Sequence, residues 1–408
     1  MEIININKNL YLLLCGQLIS QIGDKFYALA LAYWVLQTTH SPSMMGLVLF
    51  SSMAPAIVAG FFSGGFIDFF NRKTLLVNTD IIRGLVVTAV VFSYSIGVLN
   101  MFIIIVAEVM LSIYSAFFDP TVQAVIPQIV KKEELARANA KSQFLGGIAL
   151  VVGPLLGGLC AAWLGYGFVF SFNALSFFIA SILASLLVLE PTLRETHFEK
   201  QIKENIFDGF KYVFQKRSIV SIVLIVAALH FFVGSVQVIM PVFALTLKGN
   251  GAQNLGYIEA FYGAGVILTG FLLSLVNINN QEKKLMYGGI FIIGIVYTVF
   301  GILSNLAIHD IFPYFFIFFS MSAAVVGIST GYRAILQKNV ENEMAGRVFG
   351  IIGSVGNFTY PVAILVFGVL LDWFKYEQLL TFCGIIVIIL SLVLYNLNRL
   401  SSSVRLYD

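Results

Sequence analysis

Four ionisable side chains lie inside long apolar stretches of the sequence. Asp24 and Glu108 are acids in the first and fourth stretches, and His230 and Glu259 lie in the seventh and eighth. Ionisable groups in such surroundings are costly and usually face an internal cavity. There an acid can carry a proton or bind a cation, so these four residues are candidates for proton coupling or substrate binding.

Each candidate also has a structural explanation. Lys25 follows Asp24 directly and would neutralise it as a local ion pair if Asp24 did not face a cavity. Glu108 suits a structural role or a substrate contact as well as proton carriage. His230 would serve equally as a satisfied core histidine, and Glu259 would simply reach the outer membrane interface. The residue types alone leave these alternatives open.

A second group of charges surrounds the connection between the second and third apolar stretches. Glycine lets helix ends approach closely, and Asp68 is suited to accept from a helix N-terminus or an arginine. Asp80 and Arg83 are three residues apart and share a helix face. The hypothesis is a gating motif, and basic anchoring at the membrane surface is its alternative. The motif comprises Gly64, Asp68, Arg72, Lys73, Asp80, Arg83 and Asp119.

The fifth apolar stretch combines small residues with a proline, namely Gly153, Pro154, Gly157 and Gly158. Small residues permit tight helix packing, and proline removes a backbone hydrogen bond, so the pattern predicts a helix that bends. Polar and aromatic residues in other stretches predict an amphipathic cavity. The candidate cavity residues are Gln17, Gln21, Tyr27, Gln143, Gln237, Asn357 and Tyr360.

These residues belong to a chain that is too apolar for water. Of 408 residues, 59% are hydrophobic and 11% are charged, whereas soluble domains average about 45–50% and about 25%. The mean hydropathy is +0.92. A soluble enzyme, a nucleic-acid binder and a disordered chain are excluded, and continuous apolar runs exclude an alternating barrel. The three cysteines are far apart and predict neither a disulfide framework nor a metal site.

The apolar runs predict an all-α membrane protein with twelve transmembrane helices in two six-helix bundles. The expected spans are residues 9–37, 44–67, 75–97, 100–125, 138–163, 167–189, 218–246, 254–277, 285–305, 311–336, 344–371 and 376–397.

A polar segment divides the chain almost in half. The predicted domains are an N-terminal bundle (1–190), a cytoplasmic linker with an amphipathic helix (191–217) and a C-terminal bundle (218–408). Pro154 and Pro361 lie in similar contexts about half a chain apart, which favours a repeat of the kind found in parallel-repeat transporters. With the N-terminus inside, nineteen of the 24 Lys and Arg residues are cytoplasmic. Both termini are therefore predicted to be cytoplasmic.

Several motifs resemble those of the major facilitator superfamily. The run from Gly64 to Leu75 is similar to the superfamily's loop between helices two and three, although Phe69 and Asn71 replace its usual basic residue and glycine. The glycines around Pro154 resemble the motif of its exporters and antiporters. The runs 16–24 and 117–127 are similar to the branch of macrolide-efflux proteins and enterobactin exporters, and lysophospholipid transporters share versions of both. Leu111 stands where branch members often have an arginine.

The resemblance implies the major facilitator fold and secondary active export by alternating access. The expected substrate is an amphipathic small molecule of macrolide or multidrug type, exchanged for protons. A lysophospholipid flippase or a siderophore exporter on the same fold is the alternative. No phosphate-binding loop, hydrolase elbow or metal motif occurs, so the expectation is no enzyme activity and no cofactor. The expected partners are the bilayer and protons, with no nucleic acid. The expected setting is a multi-pass monomer in a bacterial cytoplasmic (inner) membrane.

Overall fold

The computed structural model of the protein describes residues 2–69, 71–189, 211–277, 280–306 and 308–404. Within these ranges, the side chains of residues 2–7, 61–69, 217–218, 342–343, 345–346 and 397–404 are not described. Most of the predicted linker, and Phe207 and Phe210 of its amphipathic helix, therefore lie outside the described residues.

Twelve long helices make up nearly all of the described chain, so the predicted all-α fold is confirmed. The first six are α1 (Glu2–Thr39), α2 (Pro42–Phe69), α3 (Arg72–Ser95), α4 (Met101–Ile129), α5 (Leu135–Leu164) and α6 (Tyr166–Ser185). The last six are α7 (Arg217–Thr246), α8 (Gly251–Leu275), α9 (Glu282–Asn305), α10 (Phe312–Asn339), α11 (Asn342–Trp373) and α12 (Tyr376–Val404).

The helix boundaries differ from prediction mainly at the ends of the chain, where α1 and α12 extend beyond the apolar runs by several residues. Among the described helices, eleven are long and apolar enough to cross a membrane, and α1 is the exception. The reason lies in its sequence, because Gln17, Gln21, Asp24 and Lys25 reduce its hydropathy. Helix α1 nevertheless packs along α5 and α6 inside the first bundle.

The two halves of the chain pack their helices in the same pattern. Contacts between α1 and α5, α2 and α4, and α3 and α6 recur as α7 with α11, α8 with α10, and α9 with α12. Extensive contact between the halves occurs along α2 with α11 and α5 with α8. This repetition is what two copies of one six-helix unit would produce.

Short connections make successive helices antiparallel, so the structure has two distinct ends. The terminal end carries both chain termini, and the distal end carries the α1–α2 and α7–α8 connections. At the distal end the halves meet backbone to backbone. A Cβ atom on Gly46 of α2 would lie 2.9 Å from the Ile364 carbonyl oxygen, and a Cβ on Gly158 of α5 would lie 2.3 Å from the Ala252 carbonyl oxygen.

The α5–α8 contact weakens towards the terminal end. Val151 and Gly263 follow on the same helix faces, and a Cβ on Gly263 would lie 2.6 Å from the Val151 side chain. One and two turns further on, Gly147 and Gly270 have no neighbouring atom within 4 Å of a built Cβ in the described structure. The halves are therefore closed at the distal end and separated at the terminal end. We call the space between them the vestibule.

The described part of the predicted linker is hydrogen-bonded to the second bundle. Residues 211–215 are helical, and Lys216 Nζ donates hydrogen bonds to Tyr212 Oη (2.6 Å) and to Glu341 Oε1 (2.9 Å) between α10 and α11. The hydrogen bond from Lys216 holds the pKa of the Glu341 carboxyl below its usual value. Phe214 is exposed.

Candidate functional site

A buried cluster of charges lies at the centre of the first bundle, where α1 meets α3. Arg83 of α3 forms a salt bridge with Asp24 of α1 and lies 3.5 Å from Asp80 one turn earlier. We call Asp24, Asp80 and Arg83 the charge cluster. Arg83 and Asp80 are almost fully buried, whereas 35% of the Asp24 side chain is exposed. Asp24 therefore joins the buried charges to accessible space.

Aromatic rings complete the environment of Arg83. Its guanidinium lies 4.1 Å from the centroid of the Phe177 ring and 5.5 Å from that of Phe118. Such contacts stabilise a cation that has left water. Among the described residues, no atom accepts a hydrogen bond from Arg83 Nε. The shared face of Asp80 and Arg83 follows from their spacing, but the partnership with Asp24 joins residues 59 positions apart.

Two further acids on α4 flank the charge cluster. Glu108 is buried next to Tyr27 of α1, yet within the described structure neither Glu108 Oε1 nor Tyr27 Oη has a hydrogen-bond partner of good geometry. Asp119 is exposed and interacts electrostatically with Arg83. The Glu108 carboxyl also interacts with the charge of Asp24. The first bundle thus contains more carboxyl groups than cations in its interior.

The second bundle contributes a wall that is mostly uncharged. Tyr360 of α11 donates a hydrogen bond to Gln237 Oε1 of α7 at 3.0 Å. The Tyr262 and Tyr360 hydroxyls both lie within electrostatic range of Glu259 on α8. Glu259 is half-buried. These interactions bring together two cavity candidates, Gln237 and Tyr360, with Tyr262 and Glu259 of α8.

The His230 ring forms a hydrogen bond within its own helix and packs against a neighbouring helix. Its Nδ1 lies 2.8 Å from the Val226 carbonyl oxygen, one turn earlier. The other edge of the ring packs on α11, where a Cβ on Gly356 would lie 3.0 Å from His230 Nε2. The histidine thus fills a gap between α7 and α11, as a core histidine would.

The remaining cavity candidates divide between α1, α5 and α11. Gln17 is buried and accepts a hydrogen bond from Ser142 of α5 at 2.9 Å. Gln21 lies near Gly146, and its buried Oε1 has no hydrogen-bond partner in the described structure. Gln143 is exposed. Asn357 lines a cavity of about 320 Å³ between α2 and α11 that is also bordered by Ala56.

The glycines of α5 provide close packing on two sides. Cβ atoms on two of them would collide with α1. A Cβ on Gly153 would lie 2.5 Å from the Lys25 Cβ, and a Cβ on Gly157 would lie 2.5 Å from the Phe26 carbonyl oxygen. Gly158 faces α8 instead, where a built Cβ would lie 2.9 Å from the Gly256 Cα. Pro154 is buried, and its carbonyl oxygen lies 3.2 Å from the built Cβ of Gly256.

The loop motif is described only in part. Gly64 and Asp68 lie in α2, but their side chains are outside the described residues. Asn71 caps α3 by accepting from the backbone N–H groups of Lys73 (2.9 Å) and Thr74 (3.2 Å), which explains how asparagine replaces a glycine there. Arg72 donates to the Ala124 carbonyl oxygen of α4 at 2.9 Å and so ties this helix end to α4.

The site offers proton and cation chemistry. Within the described residues, no group of three or more His, Cys, Asp and Glu residues is placed to hold a metal ion. Asp24 pairs with Arg83 and not with Lys25, so the local ion pair considered from sequence is not what the structure shows. Sequence reasoning also missed the link between Asp24 and α3, because helix periodicity reports only neighbours within one helix.

A helical membrane protein built from two similar six-helix bundles around a polar space has the architecture of a secondary transporter. The sequence pattern of the Major Facilitator Superfamily matches residues 13–363. The chain belongs to this superfamily. It is a multi-pass membrane transporter and not an enzyme.

Known proteins with similar sequences are transporters. The chain is 23% identical over 400 residues to macrolide efflux protein A of Streptococcus pyogenes, covering 96% of both chains. It is 25% identical over 392 residues to the staphyloferrin A transporter of Staphylococcus aureus, covering 95% of this chain and 94% of the relative. Among solved structures, the nucleoside transporter NupG superposes with a TM-score of 0.76 at 11% identity, covering 94% of this chain and 99% of the other. That likeness concerns the fold alone.

Proposed function

We propose that the protein exports amphipathic small molecules of the macrolide or multidrug type by alternating access, in exchange for protons. It acts in the cytoplasmic membrane of a bacterium as a monomer, with both termini inside. The terminal end then faces the cytoplasm, and the separated halves form a vestibule that is open to that side. The names of the relatives support a substrate of this class, and the tyrosines of the second bundle suit a bulky apolar molecule.

The observation that carries proton coupling is the excess of carboxyl groups in the first bundle. Asp24 and Asp80 share a single buried guanidinium, that of Arg83, and the buried carboxyl of Glu108 lies within electrostatic range of Asp24. A buried carboxylate without a cation is strongly disfavoured, so we infer that these three carboxyls hold at least one proton. The exposed part of Asp24 gives that proton a path to the vestibule.

Alternating access provides the exchange. In the state described here the vestibule is open at the terminal end, and substrate would enter from there. When the halves rock about the centre, α1 moves relative to the second bundle while the charge cluster stays inside the first. A change in the access of water to Asp24 then couples proton release to substrate movement.

The test is uptake into proteoliposomes driven by an imposed pH gradient, with a macrolide and a cationic dye as substrates. We expect gradient-driven transport by the wild type and its loss in Asp24→Asn or Glu108→Gln. Asp310→Asn is the matched control, because this exposed acid pairs with Lys248 on the distal surface, away from the charge cluster. Full coupling in both bundle variants would remove these acids from the mechanism.

A siderophore exporter is the second candidate, favoured by the similarity to the staphyloferrin A transporter. It shares the fold and the vestibule but requires a polar, acidic substrate. The same proteoliposomes distinguish the two, because a siderophore carrier would ignore macrolide and dye. A lysophospholipid flippase would instead depend on phospholipid composition and would use an opening such as the one beside Asn357.

A further inference from the structure

Two opposite charges from different bundles, Lys25 of α1 and Glu259 of α8, lie at the same depth in the structure. The helix contacts locate both residues. Tyr33 of α1 touches α8 at Gly251, where a built Cβ would lie 1.9 Å from the tyrosine hydroxyl oxygen. Lys25 and Glu259 are each eight residues closer to the terminal end, which is about 12 Å along either helix. The two residues therefore lie at the same depth.

The glycine contacts of α5 place the two residues on either side of this helix, at the same depth. The stem of Lys25 rests on Gly153, with the lysine Cβ 2.5 Å from a built glycine Cβ. Glu259 lies between Gly256 and Gly263 on the α8 face that meets α5 just before and just after Gly153. Lys25 and Glu259 thus flank α5 at one depth, and the lysine charge acts on the Glu259 carboxyl electrostatically.

The pairing is loose, in contrast to that of Asp24. Within the described structure no salt bridge of 4 Å or less joins Lys25 to Glu259, and Lys25 is exposed while Glu259 is half-buried. Asp24 is bonded directly to a buried arginine of its own bundle. Lysine is a point charge on a flexible four-carbon stem and exchanges partners more readily than arginine does.

We propose that Lys25 is an internal competitor for the substrate, an ammonium group that stays near Glu259 in the unloaded carrier and is displaced by a lipophilic monovalent cation. This rests on the proposed export function and specifies its substrate class and its selectivity residue. Tyr262 and Tyr360, which lie close to Glu259, supply aromatic faces for the displacing cation.

The rocking of the halves gives this competition a role in the cycle. Lys25 and Glu259 belong to different bundles, so their separation changes when the carrier changes state. In the state open at the terminal end the lysine neutralises the acid and keeps it available without a bound substrate. A substrate cation at Glu259 releases Lys25, and the carrier then moves with the carboxyl group neutralised by its cargo.

The experiment measures binding of two probes to purified protein in lipid nanodiscs by isothermal titration calorimetry. Tetraphenylphosphonium is the cation, and uncharged triphenylphosphine oxide is the neutral counterpart, so the ratio of their affinities reports charge selectivity. Lys25→Met removes the charge and keeps the stem, and we expect it to raise the ratio about fivefold. Lys25→Arg keeps the charge and should preserve the wild-type ratio.

A double-mutant cycle separates competition from simple repulsion. Glu259→Gln should lower the ratio, and adding Lys25→Met to it should give no further gain, because the carboxyl group for which the lysine and the probe compete has been removed. An equal gain in both backgrounds would mean that Lys25 only repels cations, and the inference would be wrong. Binding of both probes with an unchanged ratio in Lys25→Met would overturn the inference and leave the export proposal standing. Failure of the wild type to bind either probe would overturn the inference, and macrolide uptake in the proteoliposomes would decide the export proposal separately.

Discussion

Adding one methyl group at Gly158 should shift the carrier away from the state described here. The Cβ of Gly158→Ala would lie 2.3 Å from the Ala252 carbonyl oxygen and 2.9 Å from the Gly256 Cα. Both neighbours are backbone atoms and cannot rotate away, so α5 and α8 must separate by roughly 1 Å to restore ordinary contact. Overpacking of this kind costs about 2 kcal/mol. That cost applies only while the distal end is closed.

A destabilisation of about 2 kcal/mol changes the ratio of the two states about 30-fold. Gly147→Ala is the matched control, because it is in the same helix and a Cβ there meets no atom within 4 Å in the described structure. Both substitutions strengthen the helix by about 1 kcal/mol, so this effect cancels in the comparison.

Spin labels at Asn139 and Asn339, both exposed near the terminal end of opposite halves, report the opening of the vestibule by pulsed electron resonance in a protein without native cysteines. Gly158→Ala should enlarge the population with a short distance between labels, and Gly147→Ala should match the parent. Identical distributions in the two variants would show that the glycine contact does not select this state.

Two further perturbations act on the charges. Arg83→Met leaves Asp24 without its buried partner and should lower stability by about 3 kcal/mol, with recovery when Asp24→Asn is added; thermal unfolding in detergent measures both. Because Glu341 has a lowered pKa, its bond to Lys216 stabilises the fold above the acid's unfolded pKa of about 4.3 and is lost as pH falls further. Hydrogen exchange of residues 211–216 should therefore differ between wild type and Glu341→Gln at pH 7 and converge only well below pH 4, once the folded carboxyl is protonated.

The sequence predicted the architecture well because transmembrane helices are long apolar segments that can be recognised from composition. Continuous apolar runs and short polar breaks fixed the number of helices, and only α1 lacked a full apolar signal, since it carries the polar residues of the site. The glycine pattern around Pro154 also indicated close packing, which α5 shows against both α1 and α8. The sequence could not predict which helix packs against each glycine, because this depends on the rotation of α5 about its axis in the bundle.

The charge pairs were harder to predict. Asp80 and Arg83 share a helix face, and that spacing is visible in the sequence. The bond from Asp24 to Arg83 and the proximity of Lys25 to Glu259 arise from packing between helices, and no periodicity reports them. The nearest charge along the chain, Lys25 beside Asp24, suggested a local pair. Adjacent residues on a helix point in different directions. Here Asp24 interacts with the first bundle and Lys25 with the second.

The separation between the buried charge cluster and the half-exposed wall around Tyr360 has an evolutionary consequence. Replacements on α7, α8 and α11 change the surface that a cargo touches while leaving Asp24, Asp80 and Arg83 in their packing. If the protein exports drugs in exchange for protons as proposed, a lineage carrying this fold can therefore change its range of compounds through single substitutions on one wall while the proposed coupling residues stay unchanged. Resistance to a new compound should then arise first through changes near Gln237, Tyr262 and Tyr360.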